Sequence, residues 1–190
     1  MELPSDAEIV SLVRGAQSHE PLAFDRLYEY FADPLYRYFY YRSSDQHVAE
    51  ELVSEVFLRI VEAIATFRLP ERAQARAFSG WVFRIAYTRL VDHYRQQKRQ
   101  SVELDESIPA PYSADEMVDR SLEHEELRAA IRRLTPEQQQ VVLLRFVERM
   151  STEEVAVMTG QTIGAVKAMQ HRALNAMAKI LGTSRNTREA

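Results

Sequence analysis

The chain has no cysteine among its 190 residues, which excludes a disulfide framework and a thiolate zinc site and points to the reducing cytoplasm. Glycine is scarce, with 5 residues. None of them builds a phosphate-cradling Gly-rich loop or a Gly-x-Ser-x-Gly elbow. The histidines His19, His47, His93, His124 and His171 include no His-x-x-x-His pair, so no metal site is expected. Asp92 and His93 are adjacent and would diverge on a helix, which leaves no acid–base dyad. The start, MELPSDAEIV, lacks a basic stretch before an apolar core, and runs such as Val141 to Leu144 are far too short for a bilayer. Neither a signal peptide nor membrane insertion is expected. No catalytic residue and no cofactor can be assigned.

What remains is an ordinary foldable composition, 46% hydrophobic and 27% charged. The formal net charge of −4 argues against a nucleic-acid partner only if charge is spread evenly, and it is not. Acids crowd the stretch from Glu103 to Glu126, where Arg120 is the only base, while Arg84, Arg89, Arg95, Lys98 and Arg99 face Asp92 alone. Lys167, Arg172 and Lys179 form a second, milder basic group.

Helix formers dominate and no segment alternates with period two, so the fold class is all-α. Two small helical domains are expected, over 1–99 and 120–182, joined by a flexible acidic linker over 100–119 and followed by a tail over 183–190. Asp6 is placed to cap a first helix through about Gly15, and a second begins near Pro21. Its aromatic stripe (Phe24, Tyr28, Phe31, Tyr38, Phe39) reads as core, with a kink or break near Pro34. From Val48 an apolar face that includes Leu52, Val56, Ile60 and Val61 predicts a helix ending near Phe67. Its opposite face carries Glu51, Glu55, Leu58 and Glu62, a stripe that water or a partner must cover. A long helix is expected from about Phe78 to Gln97, with Trp81, Val82, Ile85 and Ala86 apolar before the basic tail.

Past the linker, Leu122, Leu127, Ile131 and Leu134 open the second unit, and Thr135 with Pro136 marks the next helix start. Ser151 then caps a helix with Val155, Ala156 and Met158 inward, and Thr159, Gly160 and Gln161 make a short turn. Thr162 caps a further helix whose inner stripe is Ile163, Val166, Met169, Ala173 and Met177. Lys167, Gln170, His171 and Arg172 lie on or near its free face. Two short helices joined by a Gly-containing turn predict a helix-turn-helix, whose second helix enters the major groove. There Lys and Arg reach phosphates or guanine and Gln can read adenine.

LTPEQQQVVLLRF (134–146) followed by MSTEEVAVMTGQTIGAVKAMQHRAL (150–174) resembles the fourth conserved region of bacterial sigma factors. AEELVSEVFLRI (49–60) and FSGWVFRIAYTRLVDHYRQQKR (78–99) resemble the polymerase-binding and promoter-melting parts of the second region. A chain with these two regions and no third domain resembles the extracytoplasmic-function (ECF, group IV) branch of the sigma-70 family.

The resemblance implies a transcription initiation factor that is not an enzyme and whose partners are core RNA polymerase, promoter DNA and an anti-sigma factor. Glu51, Ser54, Glu55, Leu58 and Glu62 would meet the clamp helices of the β′ subunit, and the second unit the flap of the β subunit. Thr88, Arg89, Arg95, Lys98 and Arg99 would serve minus-10 binding and melting, with the loop from Phe67 to Ala77 reading the minus-10 strand. Thr162, Lys167, Gln170, His171 and Arg172 would read the minus-35 element. The linker would thread toward the RNA exit path. Ser54, Thr88, Ala168 and Met169 depart from common family residues, and the loop from Arg68 to Ala77 is longer than usual. The rival reading is a stand-alone helix-turn-helix regulator, which would have no use for the first-unit motifs.

Overall fold

The computed structural model describes the backbone of residues 4–43, 45–103 and 122–188, and their side chains except at 98, 100–103, 122–125 and 183–188. Among the described residues there are eight α-helices: α1 Asp6–Gln17, α2 Pro21–Ser43, α3 Gln46–Ala63, α4 Gln74–Glu103, α5 Leu122–Arg132, α6 Pro136–Val142, α7 Thr152–Thr159 and α8 Ile163–Arg188. A 3-10 turn over Ile64–Thr66 extends α3, and a π-helical turn over Leu143–Val147 extends α6.

The first four helices enclose one core. Leu27, Phe31, Leu35, Tyr38 and Phe39 from α2 meet Leu52, Val56 and Ile60 from α3 and Phe78, Val82 and Phe83 from α4, all buried. Edge-to-face ring pairs join α2 to α4, Phe31 to Phe78 at 5.6 Å and Tyr38 to Phe83 at 5.7 Å between centroids, a geometry that adds to the area buried. The aromatic stripe is thus core at Phe31, Tyr38 and Phe39 and half-buried at Phe24, while Tyr28 is exposed and rests on Phe57 with centroids 4.7 Å apart.

Three boundaries differ from the sequence reading. Ser5 caps α1 and Asp6 does not; the Asp6 carboxylate instead accepts from the backbone N–H of Ala75 at 2.8 Å, near the start of α4. Pro34 does not break α2, which runs through it. Proline forfeits one backbone hydrogen bond, and the cost is offset because Pro34 is itself buried beside Phe31 and Leu35. The long helix α4 begins at Gln74 and continues through Glu103, so the expected loop to Ala77 is shorter and the first positions of the expected linker are helical. The remainder of that linker, 104–119, lies outside the described residues.

In the second unit Ile131, Leu134, Val141, Leu143, Leu144, Val155, Met158, Val166, Ala173 and Met177 form the core. Thr135 caps α6 with Pro136 in the first turn, as its sequence predicts, and Gln138 adds the reciprocal bond of a capping box. The Arg145 guanidinium donates to the Met150 carbonyl and to Gln170 Oε1, the latter at 3.2 Å, tying the π-turn to both sides of the helix-turn-helix.

Candidate nucleic-acid interface

The helix-turn-helix is specified locally at each joint. Ser151 Oγ accepts from the Glu154 N–H at 3.1 Å while the Glu154 carboxylate accepts from the Ser151 N–H at 2.5 Å, a capping box that fixes the start of α7. Gly160 ends α7 at φ 68°, a left-handed conformation that glycine adopts without a Cβ clash. Thr162 Oγ1 then accepts from the Ala165 N–H at 3.1 Å and caps α8.

On α8, Val166, Ala173 and Met177 point inward and Met169 is half-buried, but Ile163 is exposed and does not join the core. Thr162, Lys167, His171 and Arg172 are exposed together along the outward side. Gln170 is half-buried and bonded to Arg145, so its amide oxygen is engaged within the protein. Asn175, which the sequence reading did not single out, lies 3.3 Å from the His171 ring and extends the polar face by one turn.

The basic end of α4 is also solvent-facing. Arg89 and Arg95 share Asp92, at 3.5 and 3.7 Å, which spaces the two guanidiniums along one side of the helix. Thr88 is exposed and its hydroxyl donates back to the Arg84 carbonyl at 3.0 Å. Arg99 is exposed, and the Lys98 side chain lies outside the described residues. Near the other end of α4, Phe67 packs on Trp81 and Phe78, with centroids 4.8 and 5.3 Å apart. Trp81 is half-buried in this cluster and is not a fully enclosed core residue. The loop from Arg68 to Ala73 stands out from that aromatic base, most of it exposed.

The outer face of α3 carries Glu51, Ser54, Leu58 and Glu62 exposed, with Glu55 half-buried. Leu58 is 60% exposed and Val61 46%. Val61 therefore leaves the apolar face assigned to it and joins Leu58 as an apolar strip between acids. The stripe also carries a cation, since Arg59 pairs with Glu62 at 2.7 Å.

The two units touch through α4 and α7. Arg76 pairs with Glu154 at 3.1 Å and Arg84 donates to the Val157 carbonyl at 3.1 Å. Between them lies a cavity of about 450 Å³ lined by Phe67, Trp81, Val157 and Met158 among others. On the other side, the Arg128 guanidinium of α5 lies 4.7 Å from the centroid of the Tyr40 ring of α2. No sequence periodicity could reveal these contacts, because they join residues distant in the chain that sit on polar faces. Among the described residues no cluster of His, Asp or Glu could hold a metal ion, and no helix is long and apolar enough to cross a membrane.

Two family descriptions match the chain: Sigma-70 region 2 over residues 27–100 and Sigma-70, region 4 over residues 124–177. The chain is 38% identical over 92% of its length to the ECF RNA polymerase sigma factor BldN of Streptomyces coelicolor. It is 31% identical over 83% of its length to the ECF RNA polymerase sigma factor SigE of Mycolicibacterium smegmatis. It spans 66% and 61% of the length of those two relatives. Among solved structures, CnrH in complex with the cytosolic domain of CnrY is similar over 93% of this chain and 98% of that one, with a TM-score of 0.70 at 21% identity. RpoE in complex with the anti-sigma factor NepR from Bartonella quintana is similar over 84% and 96%, also with a TM-score of 0.70, at 20% identity. These likenesses establish a shared helical fold.

Proposed function

Since the chain belongs to the ECF branch of the sigma-70 family, we propose that it binds core RNA polymerase and directs initiation at promoters recognised through minus-10 and minus-35 elements. The observation that carries this reading is the pairing of two surfaces on one helical unit, an acid-and-leucine strip on α3 and an exposed basic end on α4, with a helix-turn-helix in the other unit. A stand-alone operator-binding regulator would need only the last.

Each surface has a physical role. Leu58 and Val61, exposed between Glu51, Glu55 and Glu62, present an apolar anchor within a charged rim, the pattern of a protein interface; the β′ clamp helices are its partner, with Ser54 at its edge. Arg89, Arg95, Lys98 and Arg99 of α4 supply phosphate contacts whose affinity falls with salt, and Thr88 lies beside them. Strand opening draws on bases held outside the stack, so binding energy suffices and no bond-breaking group is needed. The loop from Phe67 to Ala73 and the start of α4 read the minus-10 strand. On α8, Thr162, Lys167, His171 and Arg172 read the minus-35 element, with Gln170 behind them fixing the helix through Arg145. The second unit meets the β flap, the linker runs toward the RNA exit path, and an anti-sigma protein covers the polymerase-binding surfaces.

Run-off transcription with purified core polymerase tests this directly. Promoter-dependent transcripts are expected with the intact chain and are expected to vanish when Glu51→Lys and Glu55→Lys are combined, together with co-purification of the core enzyme. Lys167→Ala or Arg172→Ala should weaken minus-35 use while core binding stays normal. Tight binding to duplex DNA without polymerase, and no promoter-directed transcript with it, would return the chain to the regulator reading.

A further inference from the structure

Both ends of the loop from Phe67 to Ala73 are held by side chains of α1. Gln17 Nε2 donates at once to the carbonyl oxygens of Ile64 at 3.0 Å and Phe67 at 2.8 Å, where the chain leaves the 3-10 turn. Asp6 Oδ1 accepts from the Ala75 N–H at 2.8 Å, where the chain enters α4. Asp6 and Gln17 are about three helical turns apart and so return to the same side of α1, like two hands on one rail. Each bond satisfies a backbone group that secondary structure leaves open. Ala75 stands in the first turn of α4, whose N–H groups have no helical acceptor, and Phe67 is extended, at φ −70° and ψ 130°. Between the two anchors the loop carries Arg68, Pro70, Glu71 and Arg72, all exposed, and closes through Ala73 at φ 53°, a conformation unfavourable for a residue with a Cβ. A loop that ends in a strained residue needs outside support to keep one shape.

We propose that Gln17 and Asp6 are positioning residues for minus-10 recognition: together they brace the recognition loop at its two ends and so set how sharply promoters are discriminated there. This deepens the function proposed above and rests on it. A brace of this kind acts on geometry and touches no DNA, so its loss blurs selectivity and leaves the minus-35 contacts and the polymerase-binding face of α3 unaltered.

The test compares Gln17→Leu, Asp6→Ala and Asp6→Asn in run-off transcription with core polymerase. The templates are a matched promoter, versions with single-base changes in the minus-10 element, and versions changed in the minus-35 element. Gln17→Leu and Asp6→Ala are expected to cut minus-10 discrimination by about tenfold while minus-35 discrimination and core affinity hold. Asp6→Asn keeps an acceptor oxygen for the Ala75 N–H and should retain most of the selectivity. Hydrogen exchange on the free variants gives a second reading: amides between Phe67 and Ala75 should exchange faster in Asp6→Ala while those near Leu90 do not. Minus-10 discrimination within twofold of the parent would overturn the proposal, as would a parallel loss at both elements that tracks a lowered melting temperature. If Gln17→Leu does not fold, the contrast between Asp6→Ala and Asp6→Asn decides alone. Absence of any promoter-directed transcript from the parent chain would instead reject the underlying function, and the exchange result would still report on the brace.

Discussion

Glu148 shows what a single misplaced charge does to a small helical unit. It follows the π-turn, is half-buried, and one carboxylate oxygen is enclosed without a hydrogen-bond partner. Burial pushes its pKa up to about 7; Arg37 across the gap on α2 pulls it down and the neighbouring Asp33 pushes it back up. A carboxyl that holds its proton more tightly in the folded state contributes stability that is complete below its ordinary value of 4.5 and is lost as pH rises through about 7. Glu148→Gln, which keeps the shape and cannot ionise, should therefore raise the melting temperature at pH 8, equivalent to about 3 kcal/mol at most, and have a much smaller effect at pH 5. Thermal unfolding of both proteins across that range checks it; an equal gain at both pH values would mean that charge is not the cause. No sequence pattern marks Glu148 as unusual, since it reads as one more surface acid before Arg149.

Among the elements, those whose signals are local agree with the sequence reading. Thr135 with Pro136, Ser151 at the start of α7 and Thr162 at the start of α8 all cap as the sequence predicts, because an N-cap is decided within three or four residues. Elements decided by distant partners differ. Asp6 has the right chemistry for a cap but serves α4 across the core, and Val61 has the right hydrophobicity for the inner stripe of α3 but turns outward. Pro34 would end an isolated helix, yet the buried aromatics on either side keep α2 continuous. The same division sorts the candidate site: the free side of α8 was legible apart from Gln170, whereas the two anchors of the loop from Phe67 to Ala73 were not. The most local of these devices gives the plainest expectation. Gly160→Ala meets no neighbouring atom, since nothing lies within 4 Å of a Cβ built there, so any penalty comes from φ 68° alone. About 1 kcal/mol of stability should be lost, seen as a lower melting temperature for the second unit. A larger loss of minus-35 use than of stability would show that the turn also sets the angle of α8.

At the scale of the whole molecule, the contact between the two units competes with the work proposed for them. Arg76 and Arg84 lie on the first half of α4, beside the loop proposed to read the minus-10 strand, and both are engaged by α7. The Arg76 side chain remains 64% exposed, so its pairing with Glu154 is worth about 0.5 kcal/mol and weakens with salt. The bond from Arg84 to the Val157 carbonyl is a single exposed arginine–carbonyl contact, so these two arginine contacts of α4 with α7 together contribute about 1–2 kcal/mol. A polyanion that takes over Arg76 and Arg84, while polymerase grips α3, can outweigh that. The closed arrangement should therefore open on assembly. The absence of native cysteine makes this measurable, because His47→Cys on α3 and Ala178→Cys on α8, both exposed positions, accept a donor and acceptor dye with no competing thiol. Energy transfer between them should be high in the free protein at low salt, fall partly as salt rises, and fall further with core polymerase and promoter DNA. Replacing Arg76 and Arg84 together by Gln should give the low-transfer state in the free protein without salt. Transfer that stays constant through all of these changes would mean that the two units act as one rigid body, and that promoter recognition is accommodated without separating α7 from α4.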